Sequence, residues 1–245
     1  MNPSQANAST KERIRDAALS LGFAAIGFAD ASEAPYAERL RAWLDQGRHG
    51  TMRWMARDPD RRSNPRAVLP GARTVISVTV PYYRGDWPDE ERDGAMRGRI
   101  ARYAWGRDYH KRIRRRLKVL ARAVAEACPE ARWLAYVDTG PMLDRAWAER
   151  SGVGWIGKNT NVISKGRGSY SFLGEILTDQ AIEPDPPARN HCGTCARCIA
   201  ACPTGAIVGL FGGHVQFLKW PNYYQMLADP NRNELWCYPG SPTGR

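Results

Sequence analysis

No stretch of this 245-residue chain approaches the roughly 20 consecutive apolar residues of a membrane-spanning helix. The first residues, Met1 to Asn7, have neither the basic start nor the apolar centre of a secretory signal. Those two absences predict a cytoplasmic protein in a reducing compartment, without a membrane partner, where cysteines stay thiols. Internal repeats are missing. No Gly-Lys-Ser/Thr follows a glycine at P-loop spacing. The G-x-G-x-x-G run from Gly152 to Gly157 follows helical, basic sequence instead of a strand, which excludes a dinucleotide fingerprint. Flavin, haem and nicotinamide motifs are equally absent. Cysteine is scarce, at six residues, and a second C-x2-C knuckle of the structural-zinc kind does not occur.

Four of those six cysteines fall within eleven residues. Cys192, Cys195, Cys198 and Cys202 are spaced C-x2-C-x2-C-x3-C, with Pro203 next. That spacing is the bacterial ferredoxin run and reads as a ligand set for a 4Fe-4S cluster. Three thiolates two residues apart can face one centre from a tight loop. In two-cluster ferredoxins the fourth serves the other cluster. Zinc or inert thiols are the competing readings. Cys128 and Cys237 stand alone, and Cys128 reads as a packed or surface thiol.

Acidic residues are sparse where basic ones crowd. The chain carries a net charge of +11. Arg97 to Arg122 holds eleven Lys or Arg against one acid, Asp108, so this segment alone is +10. Concentrated charge points to a polyanionic partner, nucleic acid first. Ile113, Leu117, Leu120 and Val124 form an apolar stripe at helical spacing, with Lys111, Arg112, Arg114, Arg115, Lys118 and Arg122 off it. A solvated basic face is the bland reading. A phosphate-tracking surface with aromatics for unpaired bases is the functional one.

Along the chain, helices are expected over Lys11 to Leu21, around Leu40 to Leu44, up to about Ala127, and from Met142 to Arg150. Strands are expected near Phe23, Val75, Trp133 and Gly168–Leu177, the β-branched Val75 to Val80 being the clearest. Arg61 to Pro65 reads as a polar loop, and Gly152 to Asn161 as a glycine-rich loop. The fold class is α/β (α+β): a mixed sheet flanked by helices, then a small ferredoxin-like module. The expected divisions are 1–182, 183–208 and 209–245, with a stiff linker at Pro184, Pro186 and Pro187. Trp133 to Val137 delivers Asp138 at a strand end, where a carboxylate can project into a cleft as a general acid. Its alternative is a cap for the helix from Met142.

Tyr136 to Pro141, Gly154 to Asn161, Leu173 to Asp179 and the cysteine run occur in an order and spacing that resemble epoxyqueuosine reductases. So do Arg61 to Pro65 and Arg102 to His110. The likeness runs from about Lys11 to Ile207. It implies a cobalamin-dependent, iron–sulfur oxidoreductase that reduces epoxyqueuosine to queuosine at the tRNA wobble position, the last step of queuosine synthesis. The resemblance makes Asp138 the proton donor to the departing oxygen. It places Arg62, Asp138, Lys158, Asn161, Ser164 and Ser169 around the corrin. It assigns tRNA to Arg102, Arg107, Lys111, Arg114, Arg115 and Lys118. Partners would be tRNA and an electron donor, with the chain a monomer.

After Ile207 the likeness stops, as in a truncated or frame-shifted gene. The family's second cysteine cluster is missing and only Cys237 remains. Turnover impaired by loss of that cluster is therefore expected. The alternative function is a cobalamin- or electron-handling binding protein without turnover. A zinc-stapled RNA-binding protein is a third reading, which a brown anaerobic preparation excludes. Two clusters with four cysteine ligands each need eight thiolates. Anaerobic reconstitution of this six-cysteine chain should therefore give about four irons per chain or fewer by iron assay; about eight would refute the expectation.

Overall fold

The computed structural model describes residues 3–85, 100–200, 206–209 and 215–218. They divide between two compact units. One is drawn from 1–40, 58–157 and 161–191, the other from 41–57, 158–160 and 192–245. In chain order the elements are α1 (Pro3–Ser20), β1 (Ala25–Asp30), α2 (Ala37–Asp45), α3 (Arg53–Ala56), α4 (Pro59–Ser63), α5 (Pro65–Val68) and β2 (Thr74–Pro81). There follow α6 (Tyr109–Ala127), β3 (Trp133–Tyr136), α7 (Asp144–Arg150), β4 (Trp155–Ile156), β5 (Val162–Ile163) and β6 (Ser171–Thr178). The second unit ends with α8 (Arg197–Ala200) and the paired strands β7 (Ala206–Gly209) and β8 (Val215–Leu218).

The first unit is built on a four-stranded sheet ordered β1-β2-β6-β3. The α+β class holds, but all three pairings are antiparallel, where a mixed sheet was expected. The unbroken β-branched run of β2 looks like a parallel strand because such strands are buried on both faces. Here helices cover both faces of an antiparallel sheet, and the same pattern results. On one face α1 and α6 pack Ile14, Ala18, Ile113, Leu117, Leu120 and Val124 against Ile76 and Ile176. The predicted stripe of α6 is thus its buried face. On the other face Trp147 of α7 and Val68 of α5 join Val75 and Leu177.

Arg61 to Pro65 is not the open loop expected. It makes two short helices, each with proline in its first turn. Asp58 accepts from the Arg61 N–H, and Asn64 accepts from the Arg66 N–H at 3.0 Å. Asn64 itself is extended (φ −120°, ψ 104°), as the following proline demands. The expected glycine-rich loop contains β4, which pairs with β5 through Trp155–Ile163 and Ile156–Val162.

The proline linker is pinned to the fold by one carboxylate. Asp185 receives Lys11 Nζ at 2.7 Å, Arg15 at 3.1 Å and the Phe28 N–H at 3.1 Å. Its own N–H donates to the Phe28 carbonyl. Those bonds occupy backbone groups of β1, which lies at the sheet edge. Among the described residues, no helix is long and apolar enough to cross a membrane.

Gly27 of β1 is a point of close approach. A Cβ there would stand 1.9 Å from the Ser151 carbonyl oxygen, a backbone atom at the end of α7. Gly27→Ala should cost about 2 kcal/mol or more, read as a lower denaturant midpoint.

Candidate active site

Asp138 sits just after β3, in the left-handed region at φ +43°. The turn folds back on its own strand: a Cβ at Gly140 would meet the Tyr136 ring at 2.4 to 2.8 Å, so only glycine fits there. The Asp138 carboxylate does not cap a helix. α7 begins at Asp144 with Leu143 as its N-cap residue. Instead Asp138 is held from α6. His110 Nε2 lies 2.7 Å from one oxygen, and the Tyr109 hydroxyl donates to the other.

The start of α6 explains that aim. Asp108 caps the helix by accepting the His110 N–H at 2.9 Å, and it also meets His110 Nδ1 at 2.7 Å. The imidazole is therefore strung between two carboxylates. Burial disfavours its charged form, but the Asp108 hydrogen bond and the Asp138 charge outweigh this, so its pKa is raised. The Tyr109 hydroxyl is also pushed up, first by burial and then by its bond to Asp138. Tyr109 is stacked between His110 (centroids 4.0 Å apart) and Phe172 of β6 (3.9 Å). Arg114, one turn further on, reaches the Thr139 hydroxyl at 3.4 Å.

Beside Tyr109 opens a groove lined by Tyr82, Arg102, Tyr103, Trp105, Arg112 and Phe172 among others. The Arg102 guanidinium lies 4.9 Å from the Tyr83 ring, 5.4 Å from Tyr170 and 5.9 Å from Trp105. Cations over aromatic faces, with Tyr83, Tyr103 and Tyr170 exposed, make a surface on which planar, unpaired bases can stack. Lys111, Arg114, Arg115 and Lys118 are exposed along α6, and Arg107 is exposed just before it. Arg102 is half-buried.

Behind Asp138 lies a feature the sequence reading missed. Register places Tyr136, Glu175 and Ser77 side by side across β3, β6 and β2. Glu175 is fully buried with no geometric hydrogen-bond partner on either oxygen among the described residues, and the neighbouring Asp144 favours the protonated Glu175 carboxyl as donor. The Asp144 Oδ1 and the Ser77 hydroxyl are buried and equally lack partners. Burial raises Asp144 to about 6, with the Asp138 charge adding to it and Arg145 and Arg62 opposing. Glu175 is raised well above the ordinary range by burial and then by Asp144. Two adjacent buried carboxyls cannot both ionise cheaply, so they hold a proton between them. The one sequence signal was Glu175 itself, the lone charge within an apolar strand.

The remaining proposed site residues are scattered. Arg62, at the end of α4, is half-buried and on the Asp144 side. Asn161 is exposed and Ser169 half-buried. Ser164 is buried, with its hydroxyl donating to the Val153 carbonyl at 3.0 Å. In the second unit, Lys158 Nζ donates to the carbonyls of Gly193 and Cys195 at 2.8 and 3.0 Å. That ties it to the cysteine loop, where the Cys195 N–H closes a turn on the Cys192 carbonyl at 2.7 Å. Cys192, Cys195 and Cys198 form no disulfide among the described residues. Their turn and order suit cluster ligation, though among the described residues no three His, Cys, Asp or Glu side chains converge as a metal site. Cys202 and Cys237 lie outside the described residues, as does most of the divergent tail.

Residues 62–139 match the family described as epoxyqueuosine reductase QueG, DUF1730. The chain is 49% identical over 203 residues to an epoxyqueuosine reductase of Gloeobacter violaceus, covering 82% of this chain and 62% of that one. It thus spans under two-thirds of the length of the curated relatives it matches. Its fold is similar to an epoxyqueuosine reductase solved with an epoxyqueuosine-modified tRNA-Tyr stem loop (TM-score 0.71, 32% identity, 82% of this chain and 53% of that one). The same values hold for a Bacillus subtilis epoxyqueuosine reductase whose aspartate-bearing catalytic loop is swung out of the active site.

The raised acid pair has a consequence for stability. A carboxyl whose folded pKa is raised contributes fully below its unfolded value, near 4 for Asp144, and that contribution is lost as pH climbs through the folded value. For Asp144 the loss is on the order of 3 kcal/mol between about pH 4 and 6. Glu175→Gln, which removes the carboxyl raised well above the ordinary range, should flatten the fall in thermal midpoint with rising pH. An unchanged slope in that variant would contradict a shared proton.

Proposed function

Because the aligned four-fifths of this chain belongs to the epoxyqueuosine reductase family, we propose that it acts on the epoxide of epoxyqueuosine in the tRNA anticodon, in the cytoplasm. The observation that carries this reading is Asp138, gripped by Tyr109 and His110 at the head of a basic helix and beside an arginine–aromatic groove. Reduction of an epoxide to an alkene takes two electrons and two protons, and the oxygen leaves as water. In this reading Asp138 passes a proton to that oxygen, taking it from protonated His110, whose Nε2 lies 2.7 Å away. Tyr109 and His110 orient its carboxyl, and Asp108 fixes the ring of His110. Arg102 and its aromatic neighbours receive an unstacked base, and the exposed cations of α6 receive phosphates.

Cobalamin, when bound, supplies the reduced cobalt that drives the epoxide reduction. Arg62, Asn161 and Ser169 carry polar groups suited to the amide-bearing rim of a corrin, whereas the Ser164 hydroxyl is already spent inside the fold. Cys192, Cys195 and Cys198 ligate a 4Fe-4S cluster, with Lys158 bracing the peptides between them. Cys202 is its candidate fourth ligand. As in the relative whose loop swings out, the turn carrying Asp138 alternates between an engaged and a withdrawn position. The alternative is a cobalamin- or electron-handling protein without turnover.

Nucleoside analysis of epoxyqueuosine-containing tRNA, incubated with the reconstituted chain, cobalamin and a reductant, separates the two. Queuosine should appear, and Asp138→Asn should lower its rate by about 10²- to 10⁴-fold while leaving tRNA affinity intact. Unaltered tRNA alongside bound cobalamin would favour the second reading. Arg114→Glu together with Lys118→Glu should weaken tRNA binding and reduce the salt dependence of log Kd by about 0.7 to 0.9 per lost phosphate contact. An unchanged salt slope would remove α6 from the interface.

A further inference from the structure

We propose that Glu175 is a positioning residue for Asp138: with Asp144 it forms a buried acid pair whose retained proton allows the Asp138 turn to stand in the site. The inference rests on the reading of Asp138 as the proton donor.

The geometry begins with the row Tyr136–Glu175–Ser77 across the sheet. The Asp138 turn lies on Tyr136, because Gly140 packs against that ring. Glu175 is thus the next side chain in the layer beneath the turn. It is fully buried, and among the described residues neither its oxygens nor the Ser77 hydroxyl beside it has a geometric hydrogen-bond partner. Asp144 enters the same layer at the head of α7, with its Oδ1 buried. Arg62 and Arg145 offset charge on Asp144, but neither offsets Glu175. On the other side, α6 contributes Tyr109 and His110, with Asp108 at its cap.

Asp138, Asp144 and Glu175 therefore share one field, and Asp138 disfavours charge on both of the others. With a proton in the pair, the layer holds one negative charge behind Asp138. Removing that proton adds a second charge in a buried layer where Arg62 and Arg145 act on Asp144 and not on Glu175. The most yielding part of the surroundings is the turn, a non-glycine residue at φ +43° held by two side-chain bonds to α6. Repulsion relaxes by withdrawing Asp138 from Tyr109 and His110, not by moving a strand paired on both sides.

The test follows the Tyr109–Asp138 contact by NMR in the purified chain without cofactors, across about pH 5 to 9. The wild type should lose the contact as pH rises. Glu175→Gln, which cannot acquire the second charge, should hold it at least one pH unit further, a tenfold change in the engaged-to-withdrawn ratio at fixed pH. Asp144→Asn should act in the same direction and serves if the Gln variant does not fold. Glu175→Asp should restore the pH dependence. Loss of contact at the same midpoint in both neutral variants would assign the transition to His110 and overturn the proposal, as would a wild-type contact that persists throughout. A chain that shows the pH-linked turn but makes no queuosine keeps this inference and removes the proposed reaction.

Discussion

The register of β6 between β2 and β3 is the constraint on which the site depends. Eight residue pairs fix β6 to β2 and four fix it to β3. Successive side chains of a strand point to opposite faces. Phe172, Gly174 and Ile176 therefore meet α6, while Glu175 and Leu177 meet α7. A slip by one residue would exchange the two sets, burying Glu175 under α6 and removing the platform on which Tyr109 stacks. Gly174 shows how tight the arrangement is: a Cβ there would come within 3.0 Å of Leu117. The missing side chain lets α6 lie close enough for its first turn to reach Asp138.

Helix α6 accordingly does three jobs on different parts of its surface. Its apolar stripe fills the core, its cations face solvent, and its first turn presents Tyr109 and His110. These jobs are not independent. The buried stripe sets the helix rotation, and rotation decides where Arg114, four residues on from His110, meets the turn at Thr139. The Asp108 cap links local helix energetics to the site, because the carboxylate that satisfies the first N–H groups also fixes the imidazole. Losing it would disturb both the helix end and the orientation of Asp138.

Much of the fold was legible in the sequence because its signals were periodic. The β-branched run of β2, the stripe of α6 and the apolar strand β6 announced themselves through spacing alone. Strand sense was not legible, since burial on both faces erases the alternation that distinguishes antiparallel sheets. The two short helices of 59–68 were hidden for a related reason: Asp58 and Asn64 are turn residues by type, and only their bonds to Arg61 and Arg66 show that each opens a helix. Asp138 could be singled out from its place at a strand end. Its partners could not, because Tyr109 and His110 come from a helix that begins some thirty residues earlier, and their meeting is a fact of packing. Glu175 lies within the Leu173 to Asp179 motif, but only register puts it beside Ser77 and Tyr136.

The acid pair is the place where stability and chemistry pull apart. Buried carboxyls are a poor way to hold an α+β core together, even with Arg62 and Arg145 opposing the charge on Asp144, and apolar side chains of similar volume would do it better. The local structure offers no compensation: Ser77, Asp144 and Glu175 leave polar atoms unpartnered in a layer otherwise filled by Trp147, Val75 and Leu177. Perturbed carboxyls of this kind cluster at functional sites, and the Asp138 charge acts on both members of the pair. The cations of α6 do not neutralise the pair, because the sheet lies between them and that layer. The fold therefore keeps positive charge outside and a low-charge acid layer inside, with Asp138 at the boundary between the two.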